Sequence, residues 1–379
     1  MFRGRTMTQR TILAALRRSF ALLAISLAFL ACSDGSGNNN NNEEIEGNSL
    51  LLNFTSDYTT GELRWMDADS SSLSPGALPF DQDSKVFAGN GNIFVLSRPS
   101  YGNGMGSLAC ILPEKIGDIE SMVQQPLGIA TNPSHLTVIG NKGYIAFNFT
   151  NYLQVFDINT CALGDSINLP IESSEAWASA TAASGNTLLV VLQRLEAYEA
   201  LNPGLLVRIN TDTKKVMDTI QLKLYNPQAI ALNNGKLFVA SLDYNDPAKG
   251  GIEVVDLSGG KSEILFTGTE LGGNGVSSIA LNGTTLYATV TEFDAETFSV
   301  VASVKPINLT TDEAGAKILG ADEPTELLFD EKTGKLFIAD RAYGKEALKI
   351  YNTASGSVTT VTSKGEAALP PYSLAIARW

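Results

Sequence analysis

The sequence predicts an all-β chain, a seven-bladed β-propeller, and three observations support this prediction. The chain has 379 residues, 44% of them hydrophobic, which is enough apolar material for a large core. Beyond residue 48, short runs of β-branched and aromatic residues alternate with Asn-Gly, Gly-Asn and Thr-Gly turns, and no helical period of useful length occurs. These runs recur at intervals of 42 to 51 residues. Four short strands repeated at that interval are typical of propeller blades.

Residues 1–31 have the features of a secretory signal peptide. A basic segment ends at Arg18, and an apolar stretch of 13 residues follows it. A helix of that length spans about 20 Å, which is too short to cross a bilayer. The stretch ends in Phe29-Leu30-Ala31-Cys32, which resembles the lipobox of bacterial lipoproteins. The resemblance implies that Cys32 is lipidated and becomes the mature N-terminus, and that Ser33 directs the protein to the outer membrane.

Two alternatives stay open for this segment. An ordinary signal peptide that happens to contain a Cys would leave the protein without a lipid. Arg17-Arg18-Ser19-Phe20 resembles a twin-arginine export motif, whereas the strongly apolar stretch behind it is typical of general secretion. In either case residues 32–47, with five consecutive Asn, three Gly and three Glu, predict a disordered tether. We expect the protein to be attached to the outer membrane by its lipid only, facing the periplasm or the cell surface.

The predicted propeller domain occupies residues 48–379. One apolar strand recurs in every unit, and its copies start at Leu51, Ile93, Tyr144, Leu188, Leu237, Leu286 and Leu336. The last strand, from Tyr372, matches the first strand of a unit, whereas Leu50–Phe54 matches a second strand that has no first strand before it. We therefore expect the C-terminal strand to complete the N-terminal blade, because an open ring would leave edge backbone groups unpaired.

The repeat also resembles a known family. Pro-x-x-apolar, a Gly turn, Leu237-Phe-Val-Ala and then Val254-Val-Asp256 are similar to the YVTN-type seven-bladed propellers of bacterial secreted and surface proteins. The resemblance covers nearly all of residues 48–379. It implies the fold, and it leaves the function open, because such propellers include binding proteins, adhesins and a few enzymes.

The loops between the second and third strands are long, and in a propeller they surround the mouth of the central channel. An aromatic residue recurs in them, and charged residues lie between the aromatic positions. The candidates for a binding surface are Tyr58, Arg98, Tyr101, Arg194, Tyr198, Asp243, Tyr244, Arg341 and Tyr343. Tyr and Arg favour recognition surfaces because they combine large contact area with directional polar groups. The alternative is that each ring only packs over the neighbouring blade.

The first strands of the units should begin near the same channel mouth. Two residues after the initial Pro, or its equivalent, the units carry Lys85, His135, Ala180, Ala229, Ser278, Glu326 and Ser373. Lys85, His135 and Glu326 are therefore expected to converge as a base, a switchable imidazole and an acid. A single His at such a position can equally be a hydrogen-bonded structural residue.

Composition excludes several classes of function. The net charge of −13 opposes binding to nucleic acid. One His and three Cys provide no haem motif, no zinc motif and no metal cluster, and we predict no cofactor and no metal site. Cys110 and Cys161 could pair in an oxidising compartment, but their places in the repeat differ, and the sequence leaves the disulfide open.

These features favour a non-enzymatic propeller that binds a protein, peptide or glycan through its loop face. The alternative is a periplasmic propeller enzyme, a lactonase-like hydrolase or a lyase, that works at the channel mouth. A third possibility is a structural component of a surface layer. The absence of a second His and of any nucleophile motif favours binding over catalysis.

Replacement of Cys32 tests the predicted anchor. If Cys32 carries the lipid, Cys32→Ser should release the protein in soluble form or leave it uncleaved at the inner membrane, because the thiol is the site of acylation. Cell fractionation with sedimentation of outer-membrane vesicles measures the outcome. Unchanged sedimentation of the variant with the outer membrane would contradict a lipid at this residue.

Overall fold

The computed structural model describes residues 49–55, 60–70, 72–73, 77–81, 83–172, 176–294, 296, 299–342, 345–361 and 371–378. The described chain is built from β-strands. A one-turn helix, α1, covers Gly268–Leu271, and 3₁₀ turns cover Pro99–Gly102, Pro113–Lys115 and Ile119–Ser121. The predicted signal peptide and tether lie outside the described residues. None of the helical segments that are described has the length and hydrophobicity needed to cross a membrane.

The described strands form antiparallel sheets, and six sheets of four or five strands each come from one continuous segment, as expected for propeller blades. Blade A contains β4 (Lys85–Gly89), β5 (Asn92–Ser97), β6 (Met105–Ile111) and β7 (Val123–Ile129). Blade B contains β8 (Pro133–Ile139), β9 (Lys142–Phe147), β10 (Tyr152–Asp157) and β11 (Leu163–Asn168). Blade C contains β12 (Ala178–Ser184), β13 (Thr187–Leu192), β16 (Pro203–Asn210) and β17 (Lys215–Tyr225). A short hairpin, β14 (Leu195–Glu196) and β15 (Glu199–Ala200), lies between β13 and β16.

The other three continuous blades follow the same order. Blade D contains β18 (Pro227–Asn233), β19 (Lys236–Ser241), β20 (Gly251–Asp256) and β21 (Lys261–Thr267). Blade E contains β22 (Gly275–Asn282), β23 (Thr285–Asp294), β24 (Ser299–Asn308), β25 (Glu313–Ala314) and β26 (Leu319–Asp322). Blade F contains β27 (Pro324–Asp330), β28 (Lys335–Asp340), β29 (Ala347–Asn352) and β30 (Val358–Val361).

One further four-stranded sheet combines both ends of the described chain. It contains β1 (Ser49–Thr55), β2 (Thr60–Asp67) and β3 (Leu78–Asp81), and β31 (Pro371–Ala377) pairs with the free edge of β1. The predicted count of seven therefore needs a correction: six blades form from continuous segments, and the N-terminal segment supplies only three strands of a composite sheet. The predicted pairing of the C-terminal strand with the N-terminal segment is observed.

The first strands of the sheets surround a common axis. In succession β31, β4, β8, β12, β18, β22 and β27 contact one another, and β27 contacts β31 again. The second strands are buried on both faces, because each lies between the neighbouring sheets; residues 93–97 and 188–192 are fully covered. This explains why their sequences are continuous apolar runs rather than alternating ones. The largest buried side chains, Phe94, Phe147, Phe156 and Phe337, lie in the clusters between adjacent sheets.

A register shift recurs where most of the first strands begin. The pairing with the second strand skips one residue between Pro133 and His135, and equivalent shifts precede Ala180, Ala229, Ser278, Glu326 and Ser373. A β-bulge of this kind redirects the side chain that follows it. Because the bulge is repeated, these residues occupy equivalent positions around the axis.

A disulfide joins blade A to blade B. Cys110 lies on β6, Cys161 follows β10, and their Cα atoms are 6.0 Å apart, a normal separation for a bridge. The two Cys occupy different places in their blades, which is why the repeat pattern left this pairing open.

Removal of β31 tests closure of the composite sheet. Deletion of residues 372–379 exposes the edge of β1 and removes the buried Leu374, Ala375 and Ala377. A buried Leu alone contributes about 1.5–3 kcal/mol, so we expect a large loss of stability or aggregation. Thermal unfolding followed by circular dichroism measures the effect. A truncated protein that melts at the wild-type temperature would show that closure does not depend on this strand.

Candidate functional site

A cavity of about 650 Å³ lies on the axis of the propeller. Each first strand contributes to its wall, and the contributing residues include Lys85, His135, Ala180, Ala229, Ser278, Glu326 and Tyr372. Six of the seven positions singled out in the sequence therefore line one cavity. The seventh, Ser373, is buried beside it, and its Oγ accepts a hydrogen bond from the Val86 N–H at 3.2 Å. Lys85, His135 and Glu326 converge as predicted.

Lys85 brings a cation into the cavity from the start of β4. Its ammonium makes no hydrogen bond or ion pair with any residue in the part of the chain that the structure describes. Burial lowers the pKa of Lys85 to about 8, and the positive charge of Arg98 lowers this pKa further in the same direction. The negative charges of Glu326 and Asp83 oppose the shift without cancelling it. Lys85 is therefore a cation at neutral pH that can lose its proton at moderately alkaline pH.

Glu326 faces the same cavity from β27, on the other side of β31. Its Oε2 accepts a hydrogen bond from the Leu374 N–H at 3.0 Å, and the Ser373 hydroxyl bonds to the same carboxylate. Burial nevertheless raises the pKa of Glu326 to about 7, although Lys85 and both hydrogen bonds favour the charged form. Glu326 is thus the group in this cavity that changes charge near neutral pH.

His135 does not behave as the switchable imidazole that the sequence suggested. Its Nδ1 lies 2.9 Å from Thr181 Oγ1, and its ring makes an edge contact with Phe87 at a centroid distance of 5.1 Å. Burial lowers the pKa of His135 to about 3, and the charge of Lys85 acts in the same direction. The imidazole therefore stays neutral across the physiological range, and it acts as a hydrogen-bonded part of the wall.

Tyr372 is a site residue that the sequence reasoning did not select. It occupies the bulge of β31, and its hydroxyl accepts a hydrogen bond from Arg98 Nη1 at 3.3 Å. The guanidinium of Arg341 lies over its ring, 5.3 Å from the centroid. Arg98 and Arg341, predicted for the loop surface, thus pack beside the cavity. The bulge position itself, one residue before Ser373, is the sequence signal that could have identified Tyr372.

Tyr198 and Tyr244, two of the loop candidates, are exposed. Tyr198 is 74% exposed, and its ring makes an edge contact with Trp177 at 5.2 Å. Trp177 in turn contacts Phe149 at 5.0 Å. Tyr244 is 44% exposed and contacts Phe293 at 5.6 Å. These rings are therefore accessible and also held in position by neighbouring rings.

The backbone also fixes these aromatic residues. Ala197 and Tyr198 form the two-residue turn of the β14–β15 hairpin, and both have positive φ angles, 50° and 70°. This conformation suits Gly and Asn better than Ala and Tyr, so the turn is strained. In the other pair, the side chain of Asn274 donates to the Tyr244 carbonyl and accepts from the Phe293 N–H.

The remaining loop candidates have other roles or lie outside the described part. The carboxylate of Asp243 is buried and accepts the N–H groups of Asn245 and Asp246, so it shapes its own loop. Arg194 donates to Gln221 Oε1 on β17. Tyr58 and Tyr343 lie outside the described residues. Tyr101 belongs to the 3₁₀ turn Pro99–Gly102. Within the described residues, no group of three or more His, Cys, Asp or Glu is placed to hold a metal ion.

Comparisons with known proteins support the fold. No family model and no curated protein matches the chain. A candidate 6-phosphogluconolactonase of Bacteroides fragilis is similar in structure, with a TM-score of 0.58, 13% identity, and coverage of 88% of this chain and 99% of that one. A functionally unknown protein of Desulfotomaculum acetoxidans has a TM-score of 0.56 and 14% identity, with coverage of 88% of this chain and 99% of that one. Hydrazine synthase of Kuenenia stuttgartiensis has a TM-score of 0.54 and 13% identity, with coverage of 80% of this chain and 90% of that one. At these identities the likeness shows a β-propeller fold alone.

The raised pKa of Glu326 predicts a pH-dependent stability. Its pKa in the folded protein, about 7, lies above the usual value of 4.5 for a Glu, so its contribution to the free energy of unfolding is full below pH 4.5 and is lost as the pH rises through 7. Glu326→Gln removes this loss and keeps an acceptor for the Leu374 N–H. Urea unfolding should show that the stability difference between variant and wild type grows by about 2 kcal/mol from pH 5.5 to pH 8.

Glu263 provides the matched control for this measurement. It is exposed on β21, and Glu263→Gln makes the same chemical change outside the cavity. We expect its stability difference from wild type to stay constant over the same range. A constant difference for Glu326→Gln as well would mean that this carboxyl titrates as it does in water.

Proposed function

We propose that this protein is a non-enzymatic binding module that recognises a protein, peptide or glycan with the loop face of its propeller. We further propose that it is exported, lipidated at Cys32 and held at the outer membrane. In this proposal the composite sheet acts as a seventh blade that closes the ring, in the manner of YVTN-type propellers.

The observation that carries the proposal is the pair of exposed and immobilised tyrosines, Tyr198 and Tyr244. Binding surfaces favour Tyr, because it offers a large contact area and a hydroxyl for little loss of conformational freedom. Here each ring contacts a second aromatic ring, which restricts its conformations in the free protein. Less conformational entropy is therefore lost when a partner binds. The strained turn at Ala197 and Tyr198 favours a functional role, because strain of this kind is concentrated at functional sites.

The disulfide between Cys110 and Cys161 supports the proposed export. Such bonds persist in oxidising compartments such as the bacterial periplasm and are rare in the cytosol. This argument is independent of the signal-peptide pattern in residues 1–31, since it rests on two residues of the propeller itself.

The central cavity favours a second candidate function, a lactonase-like hydrolase or a lyase. Lys85 and Glu326 face one cavity, and their pKa values of about 8 and 7 suit proton transfer near neutral pH. His135 adds little to this candidate, because its imidazole stays neutral and bonds to Thr181. Binding remains the better supported function, because the hydroxyl of Thr181 lies 2.9 Å from His135 Nδ1 but faces an imidazole whose pKa is lowered to about 3, which makes it a weak general base.

Substitution of the two tyrosines separates these candidates. The double variant Tyr198→Ala, Tyr244→Ala should weaken capture of partners from outer-membrane extract by about 30-fold or more, at about 1–2 kcal/mol for each ring. His135→Ala should leave capture nearly unchanged, since this residue lies in the cavity wall. The measurement is parallel binding and hydrolase screening of full-length wild type and variants, with circular dichroism to verify folding.

The matched control is the double variant Met217→Ala, Ile264→Ala. Both residues are exposed, at 55% and 42%, and they lie on the outer strands β17 and β21 rather than on the loops. The control should bind like wild type. Equal losses in the two double variants would contradict a loop-face site, and a folded His135→Ala or Glu326→Ala protein that loses a wild-type activity would favour the enzyme.

A further inference from the structure

The cavity is lined asymmetrically. Glu326, Tyr372, Lys85 and His135 come from the consecutive first strands β27, β31, β4 and β8. Arg378, which follows β31 and pairs with Asp330 of β27, also lines the cavity, so the ionisable side chains occupy one arc of the ring. The equivalent positions on β12, β18 and β22 carry Ala180, Ala229 and Ser278. The small residues Ala180 and Ala229 leave space opposite the charged groups, and the uncharged polar residues Ser179, Gln228 and Ser277 also line this side. A molecule in the cavity would therefore meet ionisable groups on one side and an uncharged arc of small and polar side chains on the other.

The cation on the polar arc lacks an acceptor. The ammonium of Lys85 has three donors, yet within the described ranges it forms no hydrogen bond or ion pair. These donors face the cavity and are available to an anion that enters it, and the anion's charge would favour the protonated ammonium against the effect of burial. The Glu326 carboxylate does not serve as that acceptor, because its hydrogen bonds go to the Leu374 N–H and to Ser373.

The other ionisable groups near Lys85 also favour an anion. Arg98 approaches from the β5–β6 loop and, with Arg341 from the β28–β29 loop, packs on Tyr372 of β31. Asp83 precedes β4 and Glu326 lies on β27, while His135 on β8 is neutral. At pH values where Glu326 is protonated, the cations outnumber the carboxylates around the polar arc. The protonated carboxyl can then donate a hydrogen bond to a ligand.

We propose that the axial cavity binds a small organic carboxylate, with its carboxylate group on Lys85 and its remaining atoms over Ala180 and Ala229. The cavity of about 650 Å³ lies within the size range of small-molecule sites. Arg98 adds long-range attraction, and the Ser278 hydroxyl, which accepts the Leu327 N–H, retains its own proton for a ligand oxygen. This site is separate from the loop-face recognition proposed above.

Binding of a carboxylate should be linked to protons. The state that binds the carboxylate has both Lys85 and Glu326 protonated. A bound anion therefore raises the pKa values of both groups, and the protein takes up protons when the carboxylate binds. Affinity must then fall as the pH rises through about 7 and about 8, the pKa values of Glu326 and Lys85. A site that depended on His135 would instead lose affinity near pH 3, where that imidazole titrates.

Titration calorimetry of the purified full-length protein with benzoate and glycolate tests the proposal. Benzamide and glycolamide, the uncharged amide analogues of these two carboxylates, serve as controls. We expect saturable binding of at least one carboxylate, no binding of its amide, and a Kd at least tenfold higher at pH 9 than at pH 6. This pH series needs no variant, and both carboxylates are ionised throughout it.

Lys85→Met should weaken carboxylate binding at least tenfold at pH 6, since it keeps the length of the side chain and removes the charge. Lys215→Met is the matched control, because Lys215 is exposed on β17, and it should bind like wild type. Ala229→Leu fills the small arc and should weaken benzoate more than glycolate.

Several outcomes would overturn the proposal. They are absence of saturable binding for both carboxylates at millimolar concentration, equal binding of the amides, and a Kd that does not change with pH. Retention of affinity in a folded Lys85→Met protein would also overturn it. Equal binding of inorganic phosphate would show a general anion site and would reject carboxylates as the preferred class.

Discussion

The pairing of β31 with β1 is the contact on which both the fold and the axial cavity depend. It joins residues more than 300 positions apart, from Ser49 opposite Ala377 to Phe54 opposite Pro371. The strand that closes the composite sheet also lies between β27 and β4 on the axis. It therefore inserts Tyr372 and Ser373 between Glu326 and Lys85. Without it, both groups would border an open edge accessible to water.

The electrostatics of the cavity follow from this closure. Burial is the largest cause of the pKa shifts of Lys85, His135 and Glu326, and each shift favours the neutral form. The two hydrogen bonds that moderate the shift of Glu326 come from Leu374 and Ser373, which both belong to β31. The closing strand thus excludes water from the carboxyl and also supplies its partners. Structural closure and proton affinity are linked through the same residues.

Much of this arrangement could be predicted from the sequence, because a repeat makes positions comparable. The spacing of the apolar strands predicted the blades, and the place of Lys85, His135 and Glu326 after each strand start predicted their convergence. The recurring bulge is the physical reason that this comparison held. The predicted count of seven blades was wrong, since six blades form from continuous segments and the N-terminal segment supplies only three strands of a composite sheet.

Features that break the repeat could not be predicted in this way. The disulfide joins different places in two blades, and the edge contacts of Trp177 with Phe149 and Tyr198 depend on side chains outside the repeat pattern. Arg98 belonged to the loop candidates, yet it reaches Tyr372 because β31, the neighbour of β4, comes from the far end of the chain. The chemical state of His135 depends on burial, which a sequence position alone does not specify.

The loop surface and the polar arc of the cavity lie at the same end of the propeller, and this follows from the topology of the blades. The first strands begin at the end where the loops between the second and third strands emerge. Backbone hydrogen bonds join these loops to the segments that precede the first strands; for example, the Arg341 N–H donates to the Glu323 carbonyl. Arg98 and Arg341 both extend from such loops onto Tyr372 of the cavity wall. A partner that moved either loop would therefore change the positive charge beside Lys85. Under the two proposals made above, recognition at the surface and binding of an anion in the cavity are connected through Arg98, Arg341 and Tyr372.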